Sequence, residues 1–166
     1  MLRLSKLTDY AVVVLVRLAQ PDPSGAAVQT SPGIAAATGI PEPTVAKVLK
    51  TLAGGGLVAS QRGARGGYRL LRPLESIPIS EVIVTIDGPI ALAACVDGAP
   101  GVCPTENLCS VRGRWDPVNT AIQDALRAIS VAEMQDASIP RAFRLPSAPL
   151  AAALAPAPLP AAIAAE

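Results

Sequence analysis

The chain has 166 residues, of which 51% are hydrophobic, 16% charged and only 2% aromatic. This length allows one compact domain with an appendage, and the hydrophobic fraction is sufficient for a core, although alanine inflates it. The chain has no histidine for acid–base chemistry. It also lacks a phosphate-binding glycine motif and a serine nucleophile elbow, so an enzyme is the class we expect least.

The nearly neutral net charge of +1 hides two halves of opposite sign. Residues 1–72 hold 9 Lys and Arg against 3 Asp and Glu, whereas residues 73–166 hold 5 against 10. The halves therefore carry charges of +6 and −5. A basic N-terminal half is typical of a nucleic-acid binder whose affinity falls steeply as salt is added.

A first helix is predicted from about Ser5 to Ala19. Its apolar residues lie on one side, as in a scaffold element, and are Leu7, Ala11, Val14, Leu15 and Leu18. Lys6 near its start is a candidate for a DNA phosphate contact. The apolar run 11–16 is too short for a membrane span and wrongly flanked for a secretory signal. We therefore expect a cytoplasmic protein with no membrane partner.

Residues 31–54 predict two helices joined by a tight turn. Ser31 is the expected cap of a short helix, with Pro32 at its first position and Gly39 as its stop signal. The next helix follows Pro41 and ends at the glycines 54–56. Its buried positions are expected to be Val45, Val48, Leu49 and Leu52.

The opposite face of the second of these helices carries Thr44, Lys47, Lys50 and Thr51. Two helices with this connection match a helix-turn-helix whose second helix enters the major groove of DNA. Thr44 and Lys47 are then candidates for contacts with base edges, and Lys50 suits a phosphate. The alternative is an ordinary surface helix with solvated lysines.

A β-hairpin is predicted directly after this helix, with strands 57–62 and 68–72 around a glycine-rich loop. Arg62 and Arg65 lie at its tip on a backbone with little side-chain bulk, which allows close approach to phosphates or a narrow minor groove. The alternative is a plain hairpin whose charges only maintain solubility. The helix pair and hairpin together favour a winged helix-turn-helix.

Two further helices are predicted beyond the hairpin. The first is expected to be capped by Ser80, with Ile79 stapled onto Val84, and to end at residues 87–89. The second begins at Trp115, with Pro117 in its first turn, and has apolar residues at intervals of three and four: Val118, Ile122, Ala125 and Ile129. We interpret this stripe as a dimerisation seam, because helix-turn-helix proteins usually bind symmetric half-sites as dimers. The alternative is a helix that packs on its own domain.

The predicted fold is mainly α with a small β-hairpin wing. Residues 1–87 form the winged helix-turn-helix domain, 88–114 a cysteine loop, and 115–135 the long dimerisation helix with a short turn capped by Ser130 and Glu133. Residues 136–166 contain six prolines and twelve alanines. Such a tail is expected to be disordered.

All three cysteines of the chain lie in the loop, at Cys95, Cys103 and Cys109. An odd number of thiols in a reducing compartment argues against structural disulfides. Soft sulfur ligands select zinc, copper(I) or an iron–sulfur cluster, and gaps of this length exceed the usual zinc spacing. A cluster normally requires a fourth ligand. Candidates are Glu106, Asp97 and Asp116 in or near the loop, and Asp9 of the other protomer, beside backbone, exogenous or partner donors. Redox-sensing thiols without a metal, and zinc, stay open as alternatives.

Four segments together resemble the Rrf-two family of bacterial repressors, the IscR and NsrR type, and in particular its branch of SUF iron–sulfur assembly regulators. They are residues 1–11, 41–50, 62–70 and 109–115, and the resemblance covers about residues 1–135. It implies a dimeric repressor of iron–sulfur assembly genes that binds an operator in double-stranded DNA. It also implies that a 2Fe-2S or 4Fe-4S cluster on the three cysteines adjusts this binding.

The chain departs from the family pattern at the fourth ligand. IscR-like members have a histidine three residues after the last cysteine, where this chain has Arg112, and close relatives often have one at the position of Arg114. Some members use a carboxylate of the first helix, which is the role Asp9 would take. A thiol-sensing or nitric-oxide-sensing repressor of the same fold, and a small iron–sulfur electron-transfer protein, are the rival functions.

Overall fold

The computed structural model describes residues 4–21, 28–63, 66–96, 99, 103 and 108–136. A 3-10 turn, Leu74–Ser76, precedes the fourth helix. The helices and strands of these residues are, in chain order, α1 (Lys6–Ala19), α2 (Ser31–Thr38), α3 (Glu42–Gly54), β1 (Val58–Gln61), β2 (Gly67–Leu70), α4 (Ile79–Asp87), α5 (Asp116–Arg127) and α6 (Val131–Asp136). The predicted mainly α fold with a β-hairpin wing is confirmed.

No helix in these ranges is both long and apolar enough to cross a membrane. The predicted tail lies outside the described residues apart from its first residue.

Helix α1 is central to the packing, because it contacts α2, α3, α4, α6 and strand β2. Its predicted apolar stripe is confirmed, with Leu7 only partly buried. Burying aliphatic side chains of this size stabilises the fold by about 1.5–3 kcal/mol each. The core continues through the other elements with Ile34, Val45, Val48, Leu49, Leu52, Leu57, Val58, Ile77, Val82, Ile83 and Val131.

Helix α2 begins at Ser31, so the prediction that Ser31 caps it was wrong by one residue. The cap is Thr30, whose hydroxyl oxygen accepts a hydrogen bond from the Gly33 N–H at 3.2 Å. Threonine and serine are both good caps, and Pro32 is tolerated in the first turn because N–H groups there need no helical partner. The predicted stop at Gly39 is confirmed by its left-handed φ of 72°.

Helix α4 begins two residues earlier than a cap at Ser80 predicts, so Ser80 does not cap it. The helix starts at Ile79 after Pro78, with no side-chain cap. The Ile79 N–H donates instead to the Ile129 carbonyl at 2.8 Å. The predicted staple onto Val84 is wrong, because Ile79 is the first residue of the helix and not the residue before its cap. Pairing with a distant segment thus replaces the local cap, and no local sequence pattern indicates this pairing.

The wing is an antiparallel hairpin in which Val58 pairs with Leu70 and Gln61 with Gly67. A third segment joins it, because Gln29 forms a backbone bridge with Tyr68 through N···O distances of 2.9 and 2.8 Å. The Gln29 side-chain amide also donates to the Gln20 carbonyl at 2.9 Å. One residue therefore fixes the wing to the C-terminal end of α1.

The predicted capping box of α6 is confirmed. The Glu133 N–H donates to the Ser130 hydroxyl at 3.2 Å, and the Glu133 carboxylate accepts from the Ser130 N–H at 2.7 Å. Hydrogen bonds from the backbone N–H and then the hydroxyl of Ser130 lower the pKa of Glu133. The capped helix packs against α1 and the 3-10 turn.

Candidate DNA-binding surface and cysteine segment

Helix α3 divides into a buried and an exposed face. The four predicted apolar positions are buried, whereas Lys47 and Lys50 are exposed and Thr44 is half-buried. Neither lysine forms an ion pair with another described residue. Since no carboxylate of the described residues pairs with them, both ammonium groups are available to phosphates or to the acceptor edges of bases.

The orientation of α3 is fixed at both of its ends. It packs against α2 across the turn at Gly39, and against α1 and α4 along its length. At its C-terminal end a β-carbon added to Gly55 would lie 2.5 Å from Cγ2 of Thr85 in α4. Because the Gly55 backbone lies this close to the Thr85 side chain, α3 cannot tilt here without displacing that side chain.

The wing presents arginines to solvent. Arg62 follows β1 directly and is exposed, whereas Arg65 lies outside the described residues. Arg69 in β2 is also exposed, while its neighbours Tyr68 and Leu70 pack against the core. Arg69 was missed as a site residue, although the alternation of residues 68–70 predicts that it faces away from the core.

Arg72 does not contribute a free cation, because its guanidinium group forms an ion pair with Glu81 of α4. The side chains of both residues are about one-third exposed. A partly exposed pair of this kind adds little stability. It holds the end of the wing against α4.

The N-terminal turn of α1 carries Lys6 and Asp9, and both side chains are exposed. Asp87, at the end of α4, holds this turn through hydrogen bonds from the Thr8 hydroxyl at 2.7 Å and the Ser5 N–H at 3.2 Å. Partial burial acts to raise the pKa of Asp87, but these hydrogen bonds outweigh it and keep the pKa below its ordinary value. The turn is therefore anchored to Asp87, the residue that precedes the cysteine loop (residues 88–114), which is called the cysteine segment below.

The cysteines carry thiols and form no disulfide. Cys95, Cys103 and Cys109 are each partly buried. No three Cys, Asp or Glu side chains among the described residues are gathered closely enough to hold a metal ion. Glu106 lies outside the described residues. The chemistry of three soft thiols in one segment suits an iron–sulfur group, although the described residues do not form a completed cage.

Helix α5 has one face on its own domain and another in solvent. Asn119 is buried, with 4% of its surface exposed, and Leu126 packs against the core. By contrast, Trp115, Val118 and Ile129 are 46%, 44% and 41% exposed. The helix therefore packs on its own domain, as one of the two sequence interpretations predicts, and leaves most of the apolar stripe uncovered. The dimerisation seam stays a prediction.

The comparisons with known proteins agree with this arrangement. A model of the Rrf2 (Rrf-two) family, described as "Iron-dependent Transcriptional regulator", matches residues 4–137. The HTH-type transcriptional regulator IscR of Cereibacter sphaeroides is 29% identical over 151 residues, which are 87% of this chain and 97% of that protein. Protein aau3 of Rhizobium meliloti is 34% identical over 127 residues, 76% of either chain.

Solved structures show the same fold. CymR, the global cysteine regulator of B. subtilis, superposes with a TM-score of 0.62 at 24% identity, covering 84% of this chain and all of that one. IscR of T. potens has a TM-score of 0.55 at 28% identity over 82% of this chain and 89% of that chain. With the helix-turn-helix and wing in place, these matches show that the chain belongs to the Rrf2 family of DNA-binding transcriptional regulators.

Proposed function

We propose that this protein is a homodimeric repressor of iron–sulfur assembly genes that senses cluster or oxidant status through an iron–sulfur cluster. The observation that carries the proposal is the order of its parts. An unneutralised lysine face and an arginine-bearing wing are followed by a segment that contains every cysteine of the chain. The two relatives named IscR support the cluster, whereas the CymR neighbour supports the fold alone.

Operator binding is assigned to six side chains. Thr44 and Lys47 on α3 read base edges in the major groove, because short polar and basic side chains at the start of a recognition helix reach them. The other four bind phosphates or the minor groove and are Lys6, Lys50, Arg62 and Arg65. Two copies related by a two-fold axis present these groups to two half-sites one helical turn apart.

Dimerisation is assigned to the exposed stripe of α5. Three large apolar side chains on or beside this amphipathic helix are more than one-third exposed: Trp115 at its N-cap, Val118 within it and Ile129 just after its C-cap. A partner's α5 would remove them from water, at about 25 cal/mol for each Å² of apolar surface covered. The same contact sets the distance between the two copies of α3.

Cys95, Cys103 and Cys109 are assigned as the cluster ligands, with Asp9 of the partner or Glu106 as the fourth. When bound, a cluster supplies a centre that oxidants and iron shortage degrade. The exposed position of Asp9 on α1 leaves its carboxylate accessible to a second protomer.

Anaerobic purification tests this assignment. We expect visible absorbance with iron and sulfide in comparable amounts, and we expect Cys103→Ala to lose both while its far-ultraviolet circular dichroism is unchanged. Asp9→Ala and Glu106→Ala, compared directly, identify the fourth ligand by the lower iron content. Iron and sulfide retained at wild-type levels in Cys103→Ala would show that the ligand assignment is wrong.

A thiol-sensing or nitric-oxide-sensing repressor is the second candidate. It is favoured by the partial exposure of all three cysteines and by the absence of a gathered ligand set among the described residues. The same purification separates the two candidates. A protein without iron and sulfide, whose operator affinity changes on thiol oxidation, is a thiol sensor.

A further inference from the structure

Among the described residues of α5, Asn119 is the only buried one, and it is polar. Its carboxamide oxygen accepts a hydrogen bond from the Leu92 N–H at 3.1 Å, and its amide group donates to the Ile90 carbonyl at 3.2 Å. One side chain thus pairs with two nearby backbone groups as a neighbouring strand would. A buried amide with both functions satisfied fixes one backbone arrangement.

The segment held in this way leads directly to the first cysteine. Gln123, one turn further along α5, donates a second hydrogen bond to the Ile90 carbonyl at 3.0 Å. After Leu92 the chain makes a tight turn, closed by a hydrogen bond from the Val96 N–H to the Ala93 carbonyl at 3.3 Å, and Val96 is buried. Cys95 therefore lies between an anchored residue and a buried one.

On its other side the same segment continues from α4. Asp87 ends this helix and holds the first turn of α1, and Gly88 reverses the chain with φ of 88°. Helix α4 in turn packs against α3 through Thr85 and Gly55. The Asn119 hydrogen bonds thus join the helix that carries the apolar stripe to a segment continuous with the DNA-reading domain.

We propose that Asn119 is a positioning residue. Its hydrogen bonds hold Cys95, the first cysteine of the segment, in a fixed position, and they transmit a structural change at Cys95 to the DNA-binding helices. Gln123 supports it through the shared Ile90 carbonyl. This assignment deepens the proposed function and rests on it for its regulatory meaning. The positioning of Cys95 is a property of the chain without any metal.

The test compares Asn119→Ala with Thr120→Ala, a matched change at the adjacent exposed position of α5. In the reduced, metal-free protein we expect Asn119→Ala to raise the alkylation rate of Cys95 by iodoacetamide and the amide exchange rate of Leu92, each by about tenfold, since one hydrogen-bonded anchor is lost. The alkylation rate of Cys109 should stay unchanged. A merely destabilised protein would expose both thiols equally, and that result would overturn the proposal.

A second readout is the response of operator affinity to iron and sulfide. We expect the metal-free Asn119→Ala protein to bind the operator as the wild type does. The change in affinity on cluster loading should fall from about fivefold or more to within about twofold, because the coupling is lost. An undiminished response in Asn119→Ala would overturn the coupling role.

Gln123→Met provides a variant that folds even if Asn119→Ala does not, since Gln123 is only half-buried. It removes one of the two hydrogen bonds to Ile90 and should raise Cys95 alkylation by a smaller factor than Asn119→Ala. An unchanged rate would count against the anchor. Failure of the proposed function can be distinguished from failure of this inference. The alkylation rate of Cys95 can be measured even in a wild-type protein that takes up no iron and sulfide.

Discussion

Replacing Lys50 by alanine tests the DNA-binding surface through the salt dependence of operator affinity. Lys50 is exposed on α3 and forms no ion pair with a described residue. Its removal therefore deletes a cation without releasing a carboxylate. If Lys50 binds one phosphate, each protomer loses one contact and the dimer loses two.

The expected change in salt dependence follows from counterion release. Each phosphate contact contributes about −0.9 to the slope of log K against log salt concentration, so the slope should become shallower by about 1.8. Between 50 and 200 mM salt, the variant should lose about tenfold less affinity than the wild type. A monomer on DNA would show only about half of this change in slope.

Fluorescence anisotropy with a labelled promoter fragment, at four or more salt concentrations, provides the measurement. Arg127→Ala is the matched control, since it removes a cation of α5 that pairs with Asp124 at 2.6 Å. Its slope should equal that of the wild type. An unchanged slope for Lys50→Ala would refute the phosphate contact and, with it, the proposed orientation of α3.

Three further substitutions test the core, the anchor of α1 and the dimer stripe. Leu49→Ala removes a fully buried side chain of α3 and should lower the free energy of unfolding by about 3 kcal/mol in urea titrations; a loss below about 1 kcal/mol would contradict the packing. Asp87→Asn should cost about 1 kcal/mol at pH 7. Because the folded pKa of Asp87 lies below its ordinary value, its stabilisation is present at neutral pH and is lost as pH falls below about 4, so the wild-type and variant stabilities should converge there. Val118→Glu places a charge in the exposed stripe and should give a monomer in sedimentation velocity with weakened operator binding, whereas a stable dimer would exclude this seam.

Much of the fold follows from local sequence signals. The apolar positions of α1 and α3 recur at helical spacing and are all buried or partly buried, and Gly39 and Gly88 end helices where a positive φ is needed. The wing follows from two short strands around glycines. These elements depend on short-range geometry, which a single sequence displays directly.

The parts that were wrong or missed depend on distant partners. Ser80 has the features of a cap, but α4 starts earlier because Ile79 pairs with Ile129, fifty positions away in the chain. Asn119 occupies a position that a heptad pattern treats as solvent-facing, and only the folded segment at Ile90 and Leu92 gives it partners. No spacing rule indicates either contact.

The proposed function is tested most sharply by operator affinity measured with and without the cluster. Protein purified under nitrogen is titrated into a labelled promoter fragment, then stripped of iron by a chelator under reducing conditions and titrated again. We predict salt-sensitive binding in at least one form and an affinity difference of about fivefold or more between the two. Promoter fragments left unbound by both forms at low salt, or bound equally by both, would contradict it.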